Sequence, residues 1–147
     1  MDYPRILLEQ YIRMGKLIRL IEASIVRYAV SSHCVYGVER STIQQAEKLA
    51  KLAQRRDKYL MFKEAVRDTL KKLHKEERLL LILTCVRDVD KTEVSKQLGI
   101  SRRTLYRRLD SALNSFAKFL RQQGYDEQWF EENFGCCEWL KEIQQEA

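Results

Sequence analysis

One proline and five glycines are the only strong helix breakers in 147 residues. Proline removes a backbone donor and glycine costs conformational entropy, so their scarcity leaves long stretches free to stay helical. Long apolar runs are also missing. No uninterrupted stretch of about eighteen such residues occurs, so no membrane-spanning helix is expected. The N-terminus, MDYPRILLEQ, lacks the basic segment and apolar centre of a signal peptide, and a cytoplasmic location is expected. The four cysteines should then be reduced thiols. There is no glycine-rich phosphate loop, no HExxH, no GxSxG, and only two histidines. No enzyme is expected, and no cofactor. Cys136-Cys137 is not a metal-ligand spacing, and His33-Cys34 and His74 stand far apart in sequence, so no metal site is read. Cys85 reads as core.

Hydrophobic residues make up 45% of the chain, enough for a core. Leu, Lys, Arg, Glu, Gln and Ala dominate, which are good helix formers, and an all-α fold follows. Charge is unevenly spread. Residues 1–121 carry 26 Lys and Arg against 14 Asp and Glu, whereas residues 122–147 carry one lysine against seven acids. A basic body is either a solubilising surface or the footprint of a polyanion, most often nucleic acid.

Leu7, Tyr11, Met14, Ile18, Ile21, Ile25 and Tyr28 recur at spacings of four and three, predicting one helix over roughly residues 4–30. SSHCVYGV (31–38) should break it. Ser41 and Gln44 have capping-box spacing, and a second helix is expected to run toward Leu73. Its apolar row holds Leu49, Leu52, Tyr59, Val66, Leu70 and Leu73, widened by Ala53, Leu60 and Phe62. Residues 1–73 thus read as a long antiparallel helical hairpin, a candidate dimerisation or partner-binding region. A third helix, 75–87, carries Leu79, Leu80, Ile82, Leu83 and Val86 and should be largely buried.

Residues 74–121 form the second expected region. Asp90 and Glu93 can open a short helix over Lys91–Leu98. Gly99 can end it in the left-handed conformation, and Ser101 can cap the next helix. Two helices joined by Gly99-Ile100-Ser101 have the layout of a helix-turn-helix. Val94, Leu98, the small Ser95, Ile100, Leu105 and Leu109 occupy the offsets such a pair needs for packing, with Ala112 and Phe116 beyond. At about 100° per residue, Arg103, Arg107, Asp110 and Asn114 point away from that packing stripe. Arg103 and Arg107 are then candidate base readers, because an arginine can bond guanine O6 and N7 together. Arg102 and Arg108, with Lys91 and Lys96 of the preceding helix, suit phosphates, and Ser101 joins that set. The rival reading is a solvated face. Against it, Ser101–Arg108 contains four arginines and no acid.

The stretch LHKEERLLLILTCVRDVDKTEVSKQLGISRRTLYRRLDSALNSF resembles region 4 of bacterial sigma-70-family factors, over about residues 73–120. It is also similar to phage and prophage regulators of the ArpU and RinA type, more weakly over residues 20–120. The resemblance implies promoter or operator DNA bound by Arg102, Arg103, Thr104, Tyr106 and Arg107, with Thr104 and Tyr106 joining the base readers and RNA polymerase as partner. Residues 1–72 show no counterpart of the promoter-melting region of sigma factors, so an activator fits better than a complete initiation factor. A protein-binding adaptor with a repurposed helix-turn-helix, such as a polymerase or sigma inhibitor, is the alternative; a small sigma factor with a degenerate melting region is the weaker one. The acidic, aromatic tail 122–147 reads as short helices docking on the body, as a partner-binding segment, or as an acidic mimic screening the arginines.

Overall fold

The computed structural model describes the backbone of residues 2–34 and 42–135 and the side chains of residues 2–30 and 43–135. It is all-helical, and no strand occurs among the described residues. The helices are α1 (Tyr3–Glu9), α2 (Tyr11–Cys34), α3 (Thr42–Lys72), α4 (Lys75–Leu81), α5 (Lys91–Leu98), α6 (Arg102–Gln122) and α7 (Glu127–Phe134), and α4 runs on into a π-helical turn, Ile82–Val86. Backbone contacts divide the chain into two units. One comprises Met1–Gln10 and Ala65–Ala147, the other Tyr11–Glu64.

The helical-pair unit, Tyr11–Glu64, follows the expected apolar seam. Met14, Ile18, Ile21, Tyr59 and Phe62 are buried. Lys63 Nζ lies 5.1 Å from the Tyr11 ring centre, and Lys48 Nζ lies 4.5 Å from that of Tyr28. The start of α2 therefore meets the late part of α3, and the pair is antiparallel. A Cβ at Gly15 would stand 3.3 Å from Lys63 Nζ, the far end of a flexible side chain that a small shift would move aside. Two expectations change. The helix does not stop near residue 30 but continues to Cys34. Leu60, expected to widen the apolar face, is exposed. Ser41 of the expected capping box lies outside the described residues.

The other unit holds the larger core. The chain's first ten residues group with its second half. α1 is a separate helix with Pro4 in its first turn, and it ends at Gln10 instead of merging with α2. It packs on the π turn and α6, burying Tyr3, Leu7 and Leu8. The Tyr3 hydroxyl donates to the Tyr125 carbonyl at 3.0 Å, and its ring lies 5.6 Å from that of Phe130. Phe130 and Phe134 of α7 are buried as well. This first part of the acidic segment is thus a docked helix, opened by Asp126, whose carboxylate accepts from the Trp129 amide at 2.8 Å.

Arg78 closes the end of α3. Its guanidinium donates to the carbonyls of Leu70 (2.9 Å), Lys71 (3.1 Å) and Leu73 (3.1 Å). The Leu70 carbonyl also accepts from the Leu73 amide at 3.2 Å, and carbonyls at a helix C-terminus lack intrahelical donors and favour a cation through the helix dipole. Gln123 ties α6 to the same helix, donating to the Thr69 hydroxyl at 2.8 Å. Helix α4 is less enclosed than its leucines imply. Leu80 and Leu81 are buried, but Leu79 is 47% exposed.

Candidate nucleic-acid interface

The two-helix element begins at Asp90. Its carboxylate accepts from the Thr92 amide at 3.4 Å and caps α5. The reciprocal half of the expected capping box is replaced by a bond along the helix, in which the Gln97 amide donates to Glu93 at 3.4 Å. Gly99 takes the left-handed conformation, φ +65°. That geometry lets the Ile100 amide reach back to the Ser95 carbonyl (3.1 Å) and the Gly99 amide to that of Lys96 (3.3 Å), a Schellman ending. Ser95 is buried, and its hydroxyl donates to the Ile100 carbonyl at 2.6 Å. A small residue with a donor is needed there, because α5 crosses α6 closely and the turn carbonyl is inside. Ser101 then caps α6, its hydroxyl oxygen accepting from the Thr104 amide at 3.2 Å.

α6 buries Leu105, Leu109, Ala112, Phe116 and Leu120 along one stripe, and this anchors the helix. The opposite side is left to solvent. Arg102, Arg103, Arg107 and Arg108 are all exposed. None of the four forms an ion pair among the described residues. Their charge is uncompensated locally, as a polyanion-binding face requires.

The other proposed contacts are distributed unevenly. Lys91 Nζ sits 4.9 Å from the centre of the Tyr106 ring, which is 40% exposed. The pair bridges the start of α5 to the second turn of α6, a cation–π contact of ordinary geometry. Thr104 is half-buried, and its hydroxyl oxygen accepts from Ser101 at 2.9 Å, so it belongs to the cap. Lys96 is exposed in the last turn of α5. Arg108 lines a groove with Glu76, Glu77, Leu79, Leu80 and Leu98. Leu98, expected to pack inward with Val94, is 37% exposed on that groove while Val94 is fully buried. Periodicity put Leu79 and Leu98 on apolar faces. It carried no information on whether a neighbour would cover them.

No group of three or more metal-binding side chains occurs among the described residues. Cys136 and Cys137, and the side chains of His33 and Cys34, lie outside them. Cys85 is buried, and burial pushes its thiol above the ordinary range. No helix among the described residues is long and apolar enough to cross a membrane.

A family model described as bacterial regulatory protein, Fis family, matches residues 90–111. The match begins at the Asp90 cap and ends midway along α6, so it covers α5, the turn and the four arginines. It identifies this element as a helix-turn-helix DNA-binding motif. No curated protein and no solved structure matches the chain.

Proposed function

We propose that this chain is a sequence-specific double-stranded DNA-binding regulator of transcription, reading a promoter or operator with α6. The observation that carries the reading is that Arg102, Arg103, Arg107 and Arg108 on the second helix of a helix-turn-helix are exposed and form no ion pair among the described residues, with Arg103 and Arg107 opposite a buried stripe. Such a helix enters a major groove with its N-terminal residues toward base edges. Arg103 and Arg107 serve as base readers, with Tyr106 beside them. Arg102, Lys96 and Ser101 contact phosphates, together with Arg108. Lys91 stiffens the reading helix through Tyr106 as well as offering charge. Thr104 acts through the cap that sets the helix start.

The finer reading is a sigma-like activator of phage or prophage type that works with RNA polymerase. Its support is the resemblance of residues 73–120 to sigma region 4. The exposed leucines of the α4–α5–α6 groove add to it, since solvent-facing aliphatic surface beside acids suits a protein partner. That same groove favours the adaptor as the second reading, in which polymerase or sigma is bound and DNA is not. A homodimer is proposed through the helical pair, where Leu20, Val26 and Val30 of α2 stand more than half exposed.

Selection of bound duplexes from a random pool, with and without RNA polymerase, tests these together. A recovered consensus supports the regulator, and a palindromic one supports the dimer. Polymerase binding without any enriched sequence would instead establish the adaptor.

A further inference from the structure

The unit that carries the helix-turn-helix is neutral in sum, although residues 90–121 themselves hold eight lysines and arginines against three acids. Residues 11–64, the helical-pair unit, hold eleven lysines and arginines against five acids, a balance of +6. The remaining residues hold sixteen of each sign. The arginines of α6 are offset by acids elsewhere in their own unit, whereas the helical pair has an unbalanced excess.

Part of that excess is ordered. Lys51, Arg55 and Lys58 recur at spacings of four and three on α3, and Lys48 precedes them by three. These spacings place all four side chains in one row. All four are exposed. None of Lys51, Arg55 and Lys58 forms an ion pair among the described residues. Glu47, one turn before Lys51, makes none with the row, and Asp57 pairs with Arg56 instead, at 3.7 Å. Like charges at these spacings repel along a helix, so the row is unfavourable until an anion lies against it.

We infer that this row is a second phosphate-contacting surface, which takes the backbone of duplex DNA without reading its sequence. The identity of the polyanion rests on the DNA-binding reading of α6; the row itself does not. Ten residues of helix span about 15 Å, against about 3.4 Å of axis per phosphate on one strand, so the row faces about four successive phosphates. Its exposed cationic heads favour a phosphate backbone over other anionic partners. Lys51, Arg55 and Lys58 themselves offer only cationic heads, and the Tyr28 ring beside the row lies under Lys48 at 4.5 Å. Protein interfaces need apolar or aromatic anchors at their centre, and surface helices on lipid need an apolar face beside the charges. Phosphate contact needs only cationic and hydrogen-bonding groups.

The test uses the full chain with Lys51→Gln, Arg55→Gln and Lys58→Gln combined. Lys48 is kept because it packs on Tyr28. Binding to a random-sequence duplex is followed by fluorescence anisotropy between about 50 and about 200 mM salt. Loss of three phosphate contacts should flatten the slope of log affinity against log salt by about 2 to 3. The Lys51→Arg, Lys58→Arg variant should keep the parent slope, which separates charge from folding. A slope unchanged in the triple variant overturns the inference; weakened binding to poly-glutamate alongside it would assign the row to an acidic polypeptide. Failure of the α6 reading looks different. The parent chain would then show no preference between selected and random duplexes, while the slope difference would persist.

Discussion

At the scale of single residues, the turn and the reading helix make separate demands. Gly99 has open space where a Cβ would be, so Gly99→Ala tests conformation alone. At φ +65° an L-residue is strained, and the variant should lose about 1–2 kcal/mol of stability in denaturant unfolding. Arg103→Ala and Arg107→Ala should fold like the parent, because both side chains are exposed and form no ion pair among the described residues. Each should cost about 1–3 kcal/mol on the selected duplex and relax preference at one base pair. Arg102→Ala should weaken selected and random duplexes alike. Equal losses on both duplexes for all three variants would remove Arg103 and Arg107 from the role of readers.

At the scale of elements, α7 is part of the body. Phe130 and Phe134 are buried, and Phe130 stacks against Tyr3 from the other end of the unit. Phe130→Ala should cost about 3–5 kcal/mol, read as a lowered denaturant midpoint at constant slope. The consequence reaches the acidic-mimic reading of the tail. Truncation after Arg121 would remove core side chains and confuse unfolding with relief of inhibition. Truncation after Gly135 spares α7. If the last twelve residues screen the arginines, DNA affinity should then rise, and unchanged affinity rejects the screen.

At the scale of the whole molecule, two buried groups give the fold a pH limit. Burial raises the Cys85 thiol and, through desolvation that outweighs the nearby Arg121, the Tyr3 phenol. Both are neutral in the folded state at neutral pH. As pH climbs, the unfolded chain releases these protons first, so unfolding is favoured. The contribution of these two groups should be flat below about pH 8.5 and fall from there through about pH 10, where unfolded thiol and then phenol ionise. Thermal unfolding midpoints across that range check this, and Cys85→Ala should make the early part of the fall shallower. An equally steep fall in that variant would assign it elsewhere.

The helical class, the α5–turn–α6 element and its caps were legible in the sequence because their causes are local. A positive φ selects glycine, a serine oxygen reaches an amide three residues on, and an apolar stripe repeats with the helix. The arginine face of α6 was legible for the same reason, as the side opposite that stripe. Other features depend on residues far apart in the chain, and only the tertiary structure decided them. Leu7 continues the apolar rhythm of α2, yet it is buried in the unit that carries α6, because α1 breaks at Gln10 and docks there. Leu79 and Leu98 satisfy helical periodicity and still face solvent, because no described element covers their groove. Arg78 reads as one more surface charge until its guanidinium is seen closing α3. Periodicity specifies which side of a helix is apolar; burial requires a neighbour, and neighbours are chosen by packing across the fold.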